Sequence, residues 1–145
     1  MKKLIVMLPL VTMLSMAYYA YRVINYDSSK TVEYITLNSE RKSKGMCAYY
    51  VRKALIAGGI PAYIKAPASL YSKILPLYGF KEIPHSPIYR EGDIVIFSSV
   101  KNHPHGHIAM WNGKQWVSDF KQKGIIVNPA YNKVDYQIWR NRFDY

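Results

Sequence analysis

Between Cys47 and Gly58 the apolar positions repeat with a helical period. Cys47, Tyr50, Val51, Ala54, Leu55 and Gly58 fall at i, i+3, i+4, i+7, i+8 and i+11, which is one face of an amphipathic helix. Arg52 and Lys53 fall on the opposite face near its middle. Gly58-Gly59 followed by Ile60-Pro61 is a stop signal, and Ser43 or Gly45 are candidate caps at the other end. Cys47 is thereby placed in the first turn, on the inward face. A second, shorter helical stretch runs from Ala68 to Leu75 and is broken by Pro76.

The rest of the pattern reads as strands. EGDIVIFSS, Glu91 to Ser99, is a buried strand entered through a Gly-Asp turn. HGHIAMW and KQWVSDF form a pair joined at Asn112-Gly113, a frequent hairpin dipeptide. GIIVN and YQIWR supply two more, and TVEYITL, Thr31 to Leu37, alternates enough for a short strand near the start. Helices first and an antiparallel meander of about five strands afterwards is an α+β arrangement.

The first residues follow a different pattern. MKKLIVMLPLVTMLSMAYYA opens with two lysines and then carries no charge until Arg22. This is the form of an export leader, and Ser15-Met16-Ala17 fits a small-x-small cleavage site. Residues 1–17 are therefore expected to be a signal peptide and 18–145 a single domain. The rival expectation is an uncleaved inner-membrane anchor reaching about Tyr21. Either way the domain lies in the periplasm or outside the cell.

Composition narrows the classes. The chain has 145 residues, half of them apolar, and 14 tyrosines, so it can bury a core and is not a disordered segment. A single cysteine excludes an internal disulfide. The net charge of +11 favours a polyanionic neighbourhood such as an anionic membrane surface or an acidic wall polymer. No nucleic-acid partner is expected: the basic residues are scattered and match no nucleic-acid-binding motif.

The candidate chemistry lies in Cys47 and in HPHGHIAMW. A thiol attacks only as thiolate, and a helix N-terminus or a neighbouring imidazole lowers its pKa. His107 opens a strand after a glycine that permits close approach, with His105 as its substitute. The third group of such a set holds the imidazole in one tautomer, and Asp119 on the returning strand is a candidate. A two-residue loop at Asn112-Gly113 sets Ser118 opposite His107, whereas a bulge of one residue brings Asp119 there; the bulged register is expected. His103, His105 and His107 alternate and could hold zinc, but no companion ligand motif accompanies them, and no metal or organic cofactor is expected.

A cysteine opening a helix, then GDIVIF, then GHIAMW resembles the NlpC/P60 and CHAP families of papain-like peptidoglycan amidases and endopeptidases. With WVSDF supplying a carboxylate, the set is also similar to the cell-wall amidase effectors of type VI secretion. The resemblance runs from about Lys44 to Phe120. It implies a papain-like fold with helices on an antiparallel sheet, Cys47 as nucleophile, His107 as general base and Asp119 as orienting residue. It further implies peptidoglycan as substrate and a cognate inhibitor protein as partner. Tyr49, Tyr50 and Trp111 are candidate substrate-groove aromatics, with Trp116 a core residue. An exported cysteine amidohydrolase is the expected function. Its alternatives are a membrane-anchored interaction module with a degenerate site, or an acyltransferase or thioesterase on the same fold. Because delivered effectors generally lack a leader, the leader favours a self-exported enzyme over a delivered toxin.

Overall fold

The structure is a computed structural model that describes residues 2–85 and 88–143, with side chains from residue 9 onward. Three helices, α1 (Lys2–Ile24), α2 (Ser28–Asn38) and α3 (Cys47–Ala57), precede a short α4 (Tyr71–Ile74). Five strands follow: β1 (Phe80–Ile83), β2 (Ile94–Phe97), β3 (His107–Trp111), β4 (Trp116–Val117) and β5 (Tyr136–Asn141). They form one sheet in the order β1-β5-β2-β3-β4, antiparallel at every pairing. The fold is thus α+β, as the sequence indicates.

The sheet is not a meander, however. β5, the last strand in the chain, inserts between β1 and β2 and pairs with both. Burial explains why: Ile138 and Trp139 are almost wholly enclosed, so this strand needs cover on both faces and takes a central place. GIIVN forms no strand, and β1, which the sequence pattern does not mark, completes the five.

Thr31 to Leu37 is helical, contrary to the expected strand. Asp27 caps α2 by accepting a hydrogen bond from the Lys30 N–H at 2.9 Å. Thr31, Val32 and Ile35 then lie on one buried face. Tertiary packing overrides the β-branched preference of TVEYITL. α2 crosses α3 closely because Gly58 has no side chain: a Cβ there would strike Thr31 Oγ1 and the Asp27 carbonyl. The Gly58 carbonyl accepts from the Asp27 N–H at 2.9 Å.

Two cores result. Val51, Ala54 and Leu55 of α3 pack with Ile94, Ile96, Ile108 and Met110 of the sheet. The opposite sheet face buries Val95, Phe97, Ala109, Trp116 and Ile138 under Tyr131. Alternation along β3 directs Ile108 and Met110 to the helices and His107 and Ala109 to the other face. Asp93, at the entry to β2, is 1% exposed and receives two guanidinium hydrogen bonds from Arg140 of β5, at 2.8 and 2.6 Å, a forked pair that clamps the two central strands.

Among the described residues, α1 is held near its end. Tyr19 donates to the Leu77 carbonyl and Arg22 Nε to the Gly59 carbonyl, both at 2.8 Å, while Val23 and Tyr26 join the core. Earlier apolar residues such as Leu10, Met13, Leu14 and Met16 are exposed. Among the described residues no helix is long and apolar enough to cross a membrane.

Candidate active site

Cys47 opens α3, and the residue before it, Met46, gives no side-chain cap. Neither Ser43 nor Gly45 occupies the cap position. The free N–H groups of the first turn are consequently available, and those of Cys47 and Ala48 face the Cys47 sulfur together with the N–H of Ile108. Burial nonetheless dominates and pushes the Cys47 thiol above its ordinary value, with the Asp119 charge adding to the rise. The expected net lowering by helix dipole and imidazole is not what the site produces.

His107 is 8% exposed, and burial pulls its pKa down to about 4 against the opposing effects of Asp119 and Gln122. At neutral pH the site therefore holds a neutral thiol and a neutral imidazole. Gly106, at φ +68°, brings the chain to His107 so tightly that a Cβ would meet the Phe97 carbonyl oxygen. Cys47, His107 and Asp119 all line one cleft of about 340 Å³, together with His103, His105 and Tyr131.

Asp119 does not hydrogen-bond to His107. The β3–β4 pairing sets Met110 opposite Val117 and Trp111 opposite Trp116, so the loop is four residues, Asn112 to Gln115, rather than two or three. Asn112 closes it by accepting from the N–H groups of Lys114 and Gln115 at 3.1 and 2.8 Å. After Val117 the chain reverses at once: the Ser118 N–H donates to the Phe120 carbonyl and the Gln122 N–H to the Trp116 carbonyl. No strand continues to carry Asp119 opposite His107.

The reversal gives Asp119 another partner. Its Oδ2 accepts from the Lys44 N–H at 2.6 Å, the Met46 N–H at 3.2 Å and the Ser43 hydroxyl at 3.2 Å, and its Oδ1 from the Ser118 hydroxyl at 3.0 Å. The loop before Cys47 wraps this carboxylate, and Gly45 at φ +69° makes the wrap feasible. Burial alone would raise the Asp119 pKa, but these donors outweigh it and hold the carboxyl below its usual range.

The same reversal delivers Gln122, a residue the sequence reading does not mark. Its Nε2 lies 2.7 Å from His107 Nε2 and donates to the Ser118 hydroxyl at 3.2 Å. Its Oε1 is buried without a partner. Polar contacts thus run from Asp119 through Ser118 and Gln122 to His107. Only the return of the chain after WVSDF shows this, and periodicity carries no signal for it.

The other expected residues lie elsewhere. Tyr49 is exposed, and Tyr50 donates to Glu40 Oε1 at 3.0 Å. Trp111 packs against Tyr89 and Trp116 on the sheet face away from α3. None of the three lines the Cys47 cleft. Trp116 is a core residue. The histidines share the cleft in different settings: His103 packs on Tyr131, His105 is exposed and His107 is buried. Among the described residues no group of three or more His, Cys, Asp or Glu side chains is arranged to hold a metal ion.

A helix-borne cysteine and a strand-borne histidine sharing one cleft on an α+β domain define a thiol-and-imidazole site. Solved structures place the chain in a family. The chain is similar to one in the type VI native effector-immunity complex Tae3-Tai3 from Ralstonia pickettii, at 39% identity and a TM-score of 0.73, over 80% of this chain and 99% of the other. The selenomethionine form of that complex matches at 37% identity and a TM-score of 0.66, over 76% and 98% of the two chains. The chain belongs to the family of the type VI effector Tae3. No protein-family model matches the sequence, and no curated protein does.

Proposed function

We propose that the protein is a cysteine amidohydrolase of papain-like, NlpC/P60 type that cuts amide bonds in the stem peptides of peptidoglycan. The observation that carries the reading is the opening of Cys47 and His107 into one cleft, in a chain of the Tae3 family.

The electrostatics suit transfer from a neutral pair. His107, uncharged at neutral pH, takes the thiol proton as sulfur attacks the amide carbonyl. The N–H groups of Cys47 and Ala48 that face the sulfur stabilise the oxyanion. His107 then gives its proton to the leaving nitrogen, the amine departs, and a thioester remains on Cys47. Water attacks that thioester as His107 accepts its proton; the proton returns to the sulfur as the product acid leaves.

Gln122 and Asp119 act as positioning residues in this reading. Gln122 engages His107 Nε2, leaving Nδ1 as the nitrogen free to take the thiol proton. A half-turn of its amide exchanges Nε2 for Oε1, and that oxygen, accepting Nε2–H, selects the tautomer the base needs. Asp119 holds the loop that presents Cys47.

Action in the periplasm follows from the substrate. Residues 1–17 serve as a removable leader and 18–145 as the domain, a division that leaves the contacts of Tyr19, Arg22, Val23 and Tyr26 intact. The related effector is found with an immunity protein, and a partner of that kind would act here by covering the Cys47 cleft. The positive charge speeds encounter with a carboxylate-rich wall.

Digestion of purified sacculi by the protein and by its Cys47→Ala form, with mass spectrometry of the fragments, tests the reading. Stem peptides released by the parent alone are the expected result. An unchanged digest from folded protein would overturn it, and fatty acid released from lipid instead would reassign the site to acyl transfer.

A further inference from the structure

Arg52 is the anomaly of α3. The helical period assigns it to the outer face, yet it is only 9% exposed. Its guanidinium carbon sits 5.5 Å from the centre of the Tyr49 ring, and among the described residues no carboxylate or hydrogen-bond acceptor pairs with it. Arg140 shows the usual solution, a forked contact with the buried Asp93. Most of the side chain is covered while its nitrogens still reach solvent, so among the described residues this guanidinium faces an opening with no acid of the protein to meet it. A fold that keeps one beside a cavity has left a place for an anion.

That cavity is present. It measures about 220 Å³ and is lined by Ala48, Tyr49, Arg52, Lys65, Ala66 and Tyr71. It contains two cations and no acid. Ala48 follows the nucleophile directly, and Arg52 lies one helical turn beyond Ala48. Cys47 lines the larger cleft and its neighbour Ala48 the smaller one. Cys47 therefore stands between the two spaces, with His107 on one side and Arg52 on the other.

We propose that Arg52, with Lys65 at the rim, is the subsite for a free carboxylate of the substrate, recognised next to the amide that Cys47 attacks. A planar fork of N–H donors matches the two oxygens of a carboxylate, and the flanking tyrosine rings suit a flat group. The inference rests on the amidohydrolase reading and names what that enzyme selects: stem peptides that carry a carboxylate beside the cut, over their amidated forms.

The test uses two synthetic stem peptides that differ only in carboxylate against carboxamide at that position, with the parent, Arg52→Met and Arg52→Lys proteins. The parent should favour the acid by about 10- to 100-fold in kcat/KM, the range of a charge-assisted hydrogen bond. Arg52→Met should bring the ratio close to one, and Arg52→Lys should restore part of it. An unchanged ratio in folded Arg52→Met, or no preference in the parent, overturns the assignment.

If neither peptide is cut, the hydrolase reading fails by itself and the subsite is read without catalysis. The Arg52 Nε–H resonance of the Cys47→Ala protein is followed while N-acetyl-glutamate, its diamide or inorganic phosphate is added. A saturable shift with the acid alone supports the carboxylate site. No shift, or an equal one with phosphate, overturns it, and this arm also decides the matter if Arg52→Met does not fold.

Discussion

Gln122 Nε2 lies 2.7 Å from His107 Nε2, and both residues are buried. The partner of the imidazole is thus an amide rather than the carboxylate three residues earlier. Replacing Gln122 by Leu should lower kcat by about 10- to 100-fold with little change in KM, since the residue positions the base and does not bind substrate. Gln122→Glu provides the sharper measurement. A carboxylate beside the ring favours imidazolium and raises the His107 pKa from about 4, so the acid limb of kcat/KM should move to higher pH. A pH profile that stays in place would show that Gln122 has only a structural role.

Asp119 should behave differently. Asp119→Ala removes the acceptor for the Lys44 and Met46 N–H groups and for the Ser43 hydroxyl. Stranding these donors should cost about 2–4 kcal/mol of stability, read by denaturant unfolding, along with most of the activity. In Asp119→Asn the loss of a negative charge near His107 should move the acid limb to lower pH, opposite to Gln122→Glu. A stable, inactive Asp119→Ala protein would mean that the carboxylate serves the imidazole directly.

The sequence carried the frame of this site and not its wiring. Cys47 at a helix start was legible because Val51, Ala54 and Leu55 keep a helical period and Gly58 ends it. His107 was legible because a glycine precedes an apolar strand. Gln122 was not, because its position depends on a reversal at Ser118 to Phe120 fixed by two backbone hydrogen bonds. Arg52 was misplaced for a related reason: period tells which residues face the sheet, but not that the segment carrying Lys65, Ala66 and Tyr71 covers the other side. TVEYITL became a helix through a cap and a neighbour, Asp27 and Gly58, that lie outside it.

The thiol should be quiet at rest. Burial holds the Cys47 pKa above its ordinary value, so alkylation by iodoacetamide at pH 7 should run no faster than that of a free cysteine and climb as pH rises. His107→Ala should alter that rate by no more than about threefold, because the resting site contains no thiolate–imidazolium pair. A collapse of alkylation in His107→Ala would reveal such a pair.

His107 also ties stability to pH. Its folded pKa of about 4 lies below the value of about 6.5 for an unfolded histidine. Between those values the unfolded chain binds a proton that the folded one does not. The contribution is complete above pH 6.5 and is lost as pH falls towards 4, up to about 3 kcal/mol. Denaturant unfolding at pH 7 and at pH 4.5 should show a clear drop in the parent and a smaller one in His107→Gln; equal drops would place the acid sensitivity in other groups.

The place of β5 bears on when the fold can be completed. β1 and β2 are not paired with each other; the strand made after both of them is the seam between them. Until Tyr136 to Asn141 has left the ribosome, the sheet is two pieces, and Asp93 waits for Arg140. A chain interrupted before Tyr136 has β2, β3 and β4, but lacks the strand that joins β1 to them and the Arg140 that pairs with Asp93. The fold is therefore completed from within, by the strand of the sheet that is made last.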